Sequence, residues 1–404
     1  MKVIIAGAGI AGLSAAIGLR RAGHEVLILD KSSLSHEVGA AIREHSLYNH
    51  HDSYYRERTE RNLDVQPNAS RIVARWGFDV KRARLVTAKS ITLFMGDNLH
   101  VYEKIDLSNI EDEYGSGYFF SHRVDLHNEL KLLATGIEGE GKPAVIQNRC
   151  EVVGYDTING SAILADGTIM TADLIVGADG IHSSAVKEVT GYETPAVPTK
   201  ISCFRCLMPV QEIRDDPECA SFMEAMEGKL CMFTSPKDGR QRIVWYPYWN
   251  NNVPTETLLN ELDDFHPTLR TLLSKAKDVR LWKLLFRAPL PTWHKGKLVV
   301  IGDAAHPMLP YQGQAGAQAI EDGCALGILF SNLPNTNPET ISSRLTSFEN
   351  VRRNRASAMQ MFSNAGPDEA EKVKESVRGF MEEGVVIPWQ EDKDGKDGVE
   401  NEKC

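Results

Sequence analysis

The chain has 404 residues, of which 42% are hydrophobic, and it carries a formal net charge of −10. This length and composition support a large buried core and predict two closely packed domains. The negative charge argues against nucleic acid or an anionic membrane as the main partner, because both attract basic surfaces. No stretch of the sequence approaches the roughly 18 uninterrupted apolar residues of a membrane span, so we expect none.

The cysteines point to a reducing compartment. There are seven, scattered along the chain without a regular framework, which predicts reduced thiols and a cytoplasmic protein. Cys203 and Cys206 do form a C-x-x-C pair inside an apparent strand. A metal or redox centre would need a second pair of ligands, so we expect these two thiols to serve packing and predict no metal site.

The stretch from Lys2 to Asp30 has the pattern of a strand, a tight glycine turn, a helix and a second strand. Gly7, Gly9 and Gly12 supply the G-x-G-x-x-G spacing of a dinucleotide-binding turn. In such turns the first glycine permits the sharp bend, the second leaves the backbone bare for a pyrophosphate, and the third allows close helix packing. Asp30 ends the second strand, where a carboxylate accepts ribose hydroxyls. The sequence therefore predicts a bound dinucleotide.

Three later segments differ from their surroundings. Residues 44–64 are dense in charge without apolar periodicity, so we expect a surface insertion without ordered structure. Residues 201–250 are rich in strand-like patterns and aromatic side chains, which suit either a wall for a flat ligand or a packed sheet face. The charged tail 390–404 is nearly free of large apolar residues and is predicted to be disordered.

Two further motifs follow the first: GADGIHS at Gly177–Ser183 and IGDAAHPMLPYQGQAGAQAIED at Ile301–Asp322. Together the three motifs resemble the class A flavoprotein monooxygenases, the aromatic-hydroxylase family that includes salicylate hydroxylase. The similarity runs from Met1 to about Met361. It is greatest to fungal hydroxylases of phenolic acids and polyketide phenols, which suggests a role in secondary metabolism. The resemblance implies an α/β fold in which a Rossmann-like FAD-binding domain is interleaved with a substrate domain rich in β-sheet.

The same resemblance implies how the chain divides between the two domains. The FAD-binding domain would be discontinuous and comprise residues 1–80, 106–200 and 288–365. The substrate domain would comprise residues 81–105 and 201–287.

The resemblance also implies a set of cofactor contacts. Asp30 would bind the ribose of FAD, Gly39 and Ala41 would line the flavin edge, and Arg123 would approach the pyrophosphate. Asp303 would hold the ribityl chain, which agrees with the cost of leaving a carboxylate at a buried strand end without hydrogen bonds.

Two loops complete this implied site. The segment from Pro307 to Ala317 would pass the isoalloxazine ring, and Gly313, Gly316 and Ala317 are small enough for backbone N–H groups to meet the pyrimidine oxygen at a helix start. Asp179 and Gly180 would contact the flavin and the transient NAD(P)H. His306 in the same family segment is expected to be a structural neighbour of the flavin rather than a base.

The implied reaction is the hydroxylation of a phenolic or aromatic-acid substrate by NAD(P)H and O2, through a flavin C4a-hydroperoxide. A phenolate is the more reactive form of such a substrate, so the pocket needs a fixed cation and a phenolic hydroxyl. Arg205 and Tyr246 match the family's pocket positions. The alternatives are a surface ion pair for Arg205 and core packing for Tyr246.

The sequence departs from the family at two places. Ile42-Arg43 would join Val65-Gln66 smoothly if segment 44–64 were removed, so this segment is either a disordered insertion or a retained intron in the gene sequence. The second motif continues as HSSAVKE where many relatives place an arginine, which bears on NAD(P)H affinity. Two alternative functions stay open: a flavin epoxidase of an apolar alkene, as some members of the family are, and a flavin-binding protein whose catalysis the insertion impairs.

Overall fold

The computed structural model of the chain describes a large central part of it in several pieces: residues 1–32, 62–207, 210–220, 229–234, 241–245, 263–365 and 373. Among these residues, no helix is long and apolar enough to cross a membrane.

The main sheet has six strands, and the first motif opens it. Its order is β17-β18-β12-β1-β2-β8, with bounds β1 Lys2–Ala6, β2 Glu25–Asp30, β8 Val145–Asn148, β12 Leu174–Gly177, β17 His294–Lys295 and β18 Leu298–Val300. All neighbours are parallel except β17, which runs antiparallel to β18. The central strands are continuous apolar runs because both faces of a parallel sheet are covered.

Helices cover this sheet. They are α1 Ile10–Arg21, α4 Arg123–Thr135, α5 Ala185–Thr190, α8 Ala315–Leu329 and α9 Pro338–Asn364. Helices α1 and α8 approach each other through glycines, since a Cβ at Gly18 would overlap the carbonyl oxygen of Gly323. The long helix α9 begins at an N-cap, where the Asn337 side chain accepts a hydrogen bond from the Thr340 N–H at 2.8 Å.

A second region is built from strands. A four-stranded sheet has the order β15-β14-β5-β6, with bounds β5 Ser90–Met95, β6 Val101–Asp106, β14 Lys229–Thr234 and β15 Gln241–Trp245. A separate antiparallel pair consists of β13 Val197–Leu207 and β16 Lys277–Phe286. Phe94 of β5 stacks on Phe233 of β14 with ring centroids 5.1 Å apart. This pairing joins both sequence segments of the predicted substrate domain in one sheet.

The remaining elements are short. They comprise strands β3 Asn62–Val65, β4 Val86–Thr87, β7 Phe119–His122, β9 Val152–Asp156, β10 Ser161–Leu164 and β11 Ile169–Thr171, and helices α2 Pro67–Arg75, α3 Ile110–Tyr114, α6 Val210–Arg214 and α7 Pro267–Ser274. Two 3₁₀ turns, Gly302–Ala304 and Pro310–Gln312, lie between β18 and α8.

Strand β3 corrects one predicted boundary. Residues 62–64 were expected to close a segment without ordered structure, but they belong to β3, which pairs antiparallel with β7. The polar composition of these residues was misleading because cross-strand pairing, rather than apolar periodicity, fixes them. Residues 33–61 and the predicted disordered tail lie outside the described residues.

Candidate active site

The glycine turn after β1 is packed so closely that two of its glycines have no room for a side chain. Gly7 has a φ of +104°, and a Cβ on it would overlap the carbonyl oxygen of Ala178 at the end of β12. A Cβ on Gly12 would in turn overlap the carbonyl oxygen of Gly7. Both positions therefore require glycine, for backbone conformation at Gly7 and for close approach at Gly12.

Gly9 differs from these two because the space beside it is open. Its backbone is extended, with φ −74° and ψ −175°, and no atom lies within 4 Å of where a Cβ would be. It is also the N-cap of α1, and no side chain caps this helix start. The first N–H groups of α1 thus face a bare cradle, which fits a pyrophosphate at a helix N-terminus.

Asp30 fastens this turn. Its Oδ2 accepts a hydrogen bond from the Ala8 N–H at 2.7 Å, and its Oδ1 accepts from the Ser32 N–H at 2.8 Å and from the Ser32 hydroxyl. His127 of α4 is 2.7 Å, through Nε2, from the carbonyl oxygen of Ala8. The turn is therefore held from both sides, and sequence reasoning missed the contribution of His127. The expected bond from Asp30 to a ribose remains a prediction.

The second motif lies next to the first. Asp179 and Gly180 follow β12, and Gly180 adopts a φ of +85°. Asp179 Oδ1 is buried and has no hydrogen-bond partner among the described residues, and burial raises the pKa of this carboxyl. The carboxyl does accept hydrogen bonds from the Ser183 side chain and the Ser184 N–H, which leaves Oδ1 as the oxygen that a cofactor hydroxyl or N–H group could reach.

The third motif meets the first through Asp303 and its neighbours. The turn Gly302–Ala304 follows β18, and a Cβ on Gly302 would come within 2.5 Å of Ala11 Cβ in the first turn of α1. Asp303 is half-buried beside this contact. Because β1, β12 and β18 are adjacent parallel strands, their carboxyl ends bring all three motifs to one edge of the sheet.

Arg287 is a buried cation that ties the second and third motifs together. Its guanidinium donates hydrogen bonds to the carbonyl oxygens of Thr194 at 3.0 Å, of Ala304 at 2.9 Å, and of Ile181. Burial lowers the pKa of Arg287, while the charges of Asp303 and Asp179 raise it. Sequence reasoning did not single out this residue, and its only signal is a cation among the apolar residues of LLFRAPL.

A buried ionic network holds the turn Gly302–Ala304 in place. Asp322 accepts from the Gly302 N–H at 2.9 Å and from Arg352 Nε at 2.8 Å, and its Oδ2 is 2.7 Å from His306 Nε2. Burial raises the pKa of Asp322, but His306, Arg352 and the Gly302 N–H together bring it below its ordinary value. His306 is therefore held by Asp322, and its expected place beside the flavin remains a prediction.

The loop that leads into α8 contains the other predicted ring contacts. Pro307 is buried, Gly313 has a φ of +63°, and Gly316 and Ala317 are buried in the first turn of α8. A Cβ on Gly313 would overlap a carboxylate oxygen of Asp64. The sequence interpretation had assigned Asp64 to a surface insertion and so missed it at this loop.

Two of the other predicted residues, Arg123 and Arg205, lie within the described part of the chain. Arg123 is half-buried and is the first residue of α4. Arg205 lies in β13, where its register partner is Arg280 of β16. Tyr246, Gly39 and Ala41 lie outside the described residues. Within the described part of the chain, no group of three or more histidine, cysteine or acidic residues could hold a metal ion.

Comparison with known proteins places the chain in one family. An FAD binding domain model matches residues 132–363, and a second FAD binding domain model matches residues 2–70. The FAD-dependent monooxygenase phomE' of Diaporthe leptostromiformis is 36% identical, covering 88% of this chain and 89% of the relative. The chain belongs to the FAD-dependent monooxygenases, and FAD is the cofactor of this family.

More distant relatives extend the match. The 3-hydroxybenzoate 6-hydroxylase 1 of Aquipseudomonas alcaligenes is 28% identical, covering 80% of this chain and 79% of the relative. The crystal structure of Klebsiella pneumoniae HpxO complexed with FAD and uric acid superposes with a TM-score of 0.69 at 18% identity, covering 94% of this chain and 92% of that one. The expected α/β fold with a Rossmann-like FAD-binding domain is thereby confirmed.

Proposed function

We propose that this protein uses NAD(P)H and O2 to hydroxylate a phenolic or aromatic-acid substrate. The observation that carries the proposal is the convergence of the three motifs at the carboxyl ends of β1, β12 and β18, next to the open space at Gly9. The relative named 3-hydroxybenzoate 6-hydroxylase 1 supports a phenolic acid as the substrate class. The similarity to phomE' of the fungus Diaporthe leptostromiformis supports a role in fungal secondary metabolism.

The residues predicted to contact the cofactor each take a role in holding it. The open start of α1 at Gly9 receives the pyrophosphate, Asp30 the ribose and Asp303 the ribityl hydroxyls. Gly7 and Gly12 keep the turn compact. The residues proposed to complete the cofactor site are Gly39, Ala41, Arg123, Pro307, Gly316 and Ala317.

The bound flavin, once reduced by NAD(P)H, supplies the activated oxygen for the aromatic ring. The chain's own residues hold and ionise the substrate. We assign to Arg205 the anchoring of a phenolate or carboxylate, because a guanidinium gives two parallel charge-assisted hydrogen bonds. Tyr246 exchanges a proton with the substrate hydroxyl. Asp179 and Gly180 meet NAD(P)H while it is briefly bound.

The domain division follows from the same assignment. Residues 1–80, 106–200 and 288–365 form the FAD-binding domain, and residues 81–105 and 201–287 form the substrate domain. We also propose a cytoplasmic location, in keeping with the scattered cysteines.

One experiment tests the proposal. The purified protein, reconstituted with FAD, is mixed with NADH or NADPH and a panel of phenolic acids under air. The proposal predicts that one or more of the acids accelerates NAD(P)H oxidation and yields a hydroxylated product. An apolar alkene that alone stimulates oxidation would favour the epoxidase, and no stimulation by any substrate would contradict the hydroxylase.

A further inference from the structure

Asp64 is a buried acid against the loop that leads into α8. It is only 6% exposed, and strand β3 holds it there through its pairing with Phe120 of β7. Its Oδ2 accepts a hydrogen bond from the Tyr118 hydroxyl at 3.1 Å, and occupies the space that a Cβ on Gly313 would need. The carboxyl and the loop are therefore in direct contact.

Amide side chains also fix the loop that leads into α8. Gln66, two residues after Asp64, donates through Nε2 to the carbonyl oxygen of Gln312 at 2.9 Å, and Gln314 donates to the Gln66 side chain. The segment that carries Asp64 thus positions residues 312–314. In the proposed site, these residues pass beside the flavin ring.

The second carboxylate oxygen, Oδ1, is buried and has no hydrogen-bond partner among the described residues. Burial raises the pKa of Asp64 from 3.8 to about 7, and the Tyr118 hydrogen bond opposes this rise. Near neutral pH the carboxyl therefore exists in both forms. When neutral it has a proton to donate, and a buried donor without an acceptor is costly.

The charged and titratable groups on the elements around β3 are engaged with partners other than Asp64. On β7, α2 and α8 these groups are His122 near Asp125, Arg71 on backbone carbonyls, the exposed Arg75 near Cys324, Glu321 on two arginines, and Asp322 on His306 and Arg352. The Tyr118 hydroxyl is the titratable contact that the structure gives to Asp64. No described cation is therefore placed to stabilise the ionised form.

We propose that neutral Asp64 is a cofactor-binding residue that donates a hydrogen bond to an acceptor atom of the flavin ring, and that its ionisation weakens FAD binding. This inference rests on the proposed placement of the ring beside Pro307–Ala317. The ring carbonyl oxygens and nitrogens are acceptors of the required kind. An anionic carboxylate would repel them, and would repel the electron-rich reduced flavin more strongly.

The test is the dissociation constant of FAD, measured by quenching of flavin fluorescence on the apoprotein from about pH 6 to pH 9. For the wild type, affinity should fall about tenfold for each pH unit above roughly 7, because binding then requires uptake of a proton. Asp64→Asn cannot ionise and still donates, so its affinity should stay constant over this range. Asp64→Ser, which also keeps a donor, serves if the asparagine variant does not fold.

Two further variants sharpen the test. Tyr118→Phe removes the hydrogen bond that favours the ionised form, so the fall in affinity should begin at higher pH. Asp97→Asn changes an exposed acid and should retain the wild-type pH dependence.

The outcomes distinguish an error in the role of Asp64 from an error in the proposed function. If wild type and Asp64→Asn bind FAD with the same pH dependence, or if the wild type shows none, the role of Asp64 is wrong while FAD binding stands. If none of the folded proteins binds FAD, the proposed function itself is wrong.

Discussion

Arg287 Nη1 donates a hydrogen bond of 2.9 Å to the carbonyl oxygen of Ala304, the residue after Asp303. The same side chain also reaches Ile181, one residue beyond the Asp179-Gly180 turn. The second and third motifs, which lie far apart in the chain, are therefore joined by one buried guanidinium.

Arg287→Met should destabilise the fold and weaken FAD binding together. Three backbone carbonyls would lose their donor, and the acids near them would lose a buried cation, at a cost of about 3 kcal/mol. Arg287→Lys should recover little of the lost stability or FAD binding, because a single ammonium group cannot reproduce the three divergent hydrogen bonds of the guanidinium. Thermal unfolding and FAD content measure both effects, with Lys295→Met on an exposed residue as the matched control. Wild-type stability in Arg287→Met would contradict the role of this tie.

Substitutions at two glycines of the turn after β1 should affect FAD binding and folding separately. Gly9→Val should fold normally, because its backbone is extended and its Cβ meets no protein atom, yet the side chain would fill the pyrophosphate cradle and abolish FAD binding. Gly12→Ala should instead lower the melting temperature, because its Cβ overlaps Gly7. Circular dichroism and bound-flavin absorbance distinguish the two. A folded Gly9→Val protein with normal FAD affinity would show that the dinucleotide lies elsewhere.

Asp303→Ala should lose FAD while the protein stays folded. The ribityl hydroxyls would lose a charge-assisted acceptor, which contributes on the order of 1.5–3 kcal/mol. The flavin released on dilution or gel filtration measures the loss. Asp166→Ala, at an exposed turn, should keep its flavin. Full flavin retention by Asp303→Ala would remove Asp303 from the cofactor site.

Burial of Asp64 should make the stability of the apoprotein depend on pH. Its folded pKa of about 7 lies above the ordinary 3.8, so the folded protein keeps a proton that the unfolded chain releases. The free energy of unfolding should therefore fall as pH rises from about 4 through 7, by about 4 kcal/mol in total from this residue. Asp64→Asn should remove this fall. Denaturant unfolding at several pH values tests it, and identical pH profiles for both proteins would contradict it.

Arg205 is the residue on which the proposal of an anionic substrate depends. Arg205→Ala should slow hydroxylation roughly 30- to 1000-fold, since an anchoring cation in a dry pocket contributes about 2–4 kcal/mol. FAD content and the visible spectrum should stay near wild type, and Arg205→Lys should not restore the rate. Arg214→Ala, an exposed arginine on α6, is the control. Hydroxylation at the wild-type rate by Arg205→Ala would favour an apolar substrate.

The local features of the cofactor domain could be predicted from the sequence. Lys2–Asp30 folds as the predicted strand, turn, helix and strand, because its apolar runs and glycine spacing act over a few residues. The convergence of the three motifs was not predicted, because it depends on the order β18-β12-β1 in the sheet, which pairs strands that are far apart in the chain.

The long-range contacts could not be predicted in this way. Arg287 and Ile181 are 106 residues apart, and no periodicity encodes their contact. Asp64 was misassigned because its neighbours in sequence are polar, whereas its position depends on pairing with β7 and contact with Gly313. The origin of the preceding segment is decided by sequencing the transcript, where a spliced message without it would identify a retained intron.

The most direct test of the central assignment is oxygen incorporation. The FAD-loaded enzyme is given NAD(P)H, a phenolic acid that stimulates its oxidation, and isotopically labelled O2, and the product is analysed by mass spectrometry. A monooxygenase inserts one labelled oxygen atom into the ring and reduces the other to water. A singly labelled hydroxylated product is the result we predict. Consumption of NAD(P)H with hydrogen peroxide as the sole oxygen product, for every substrate tested, would contradict the assignment.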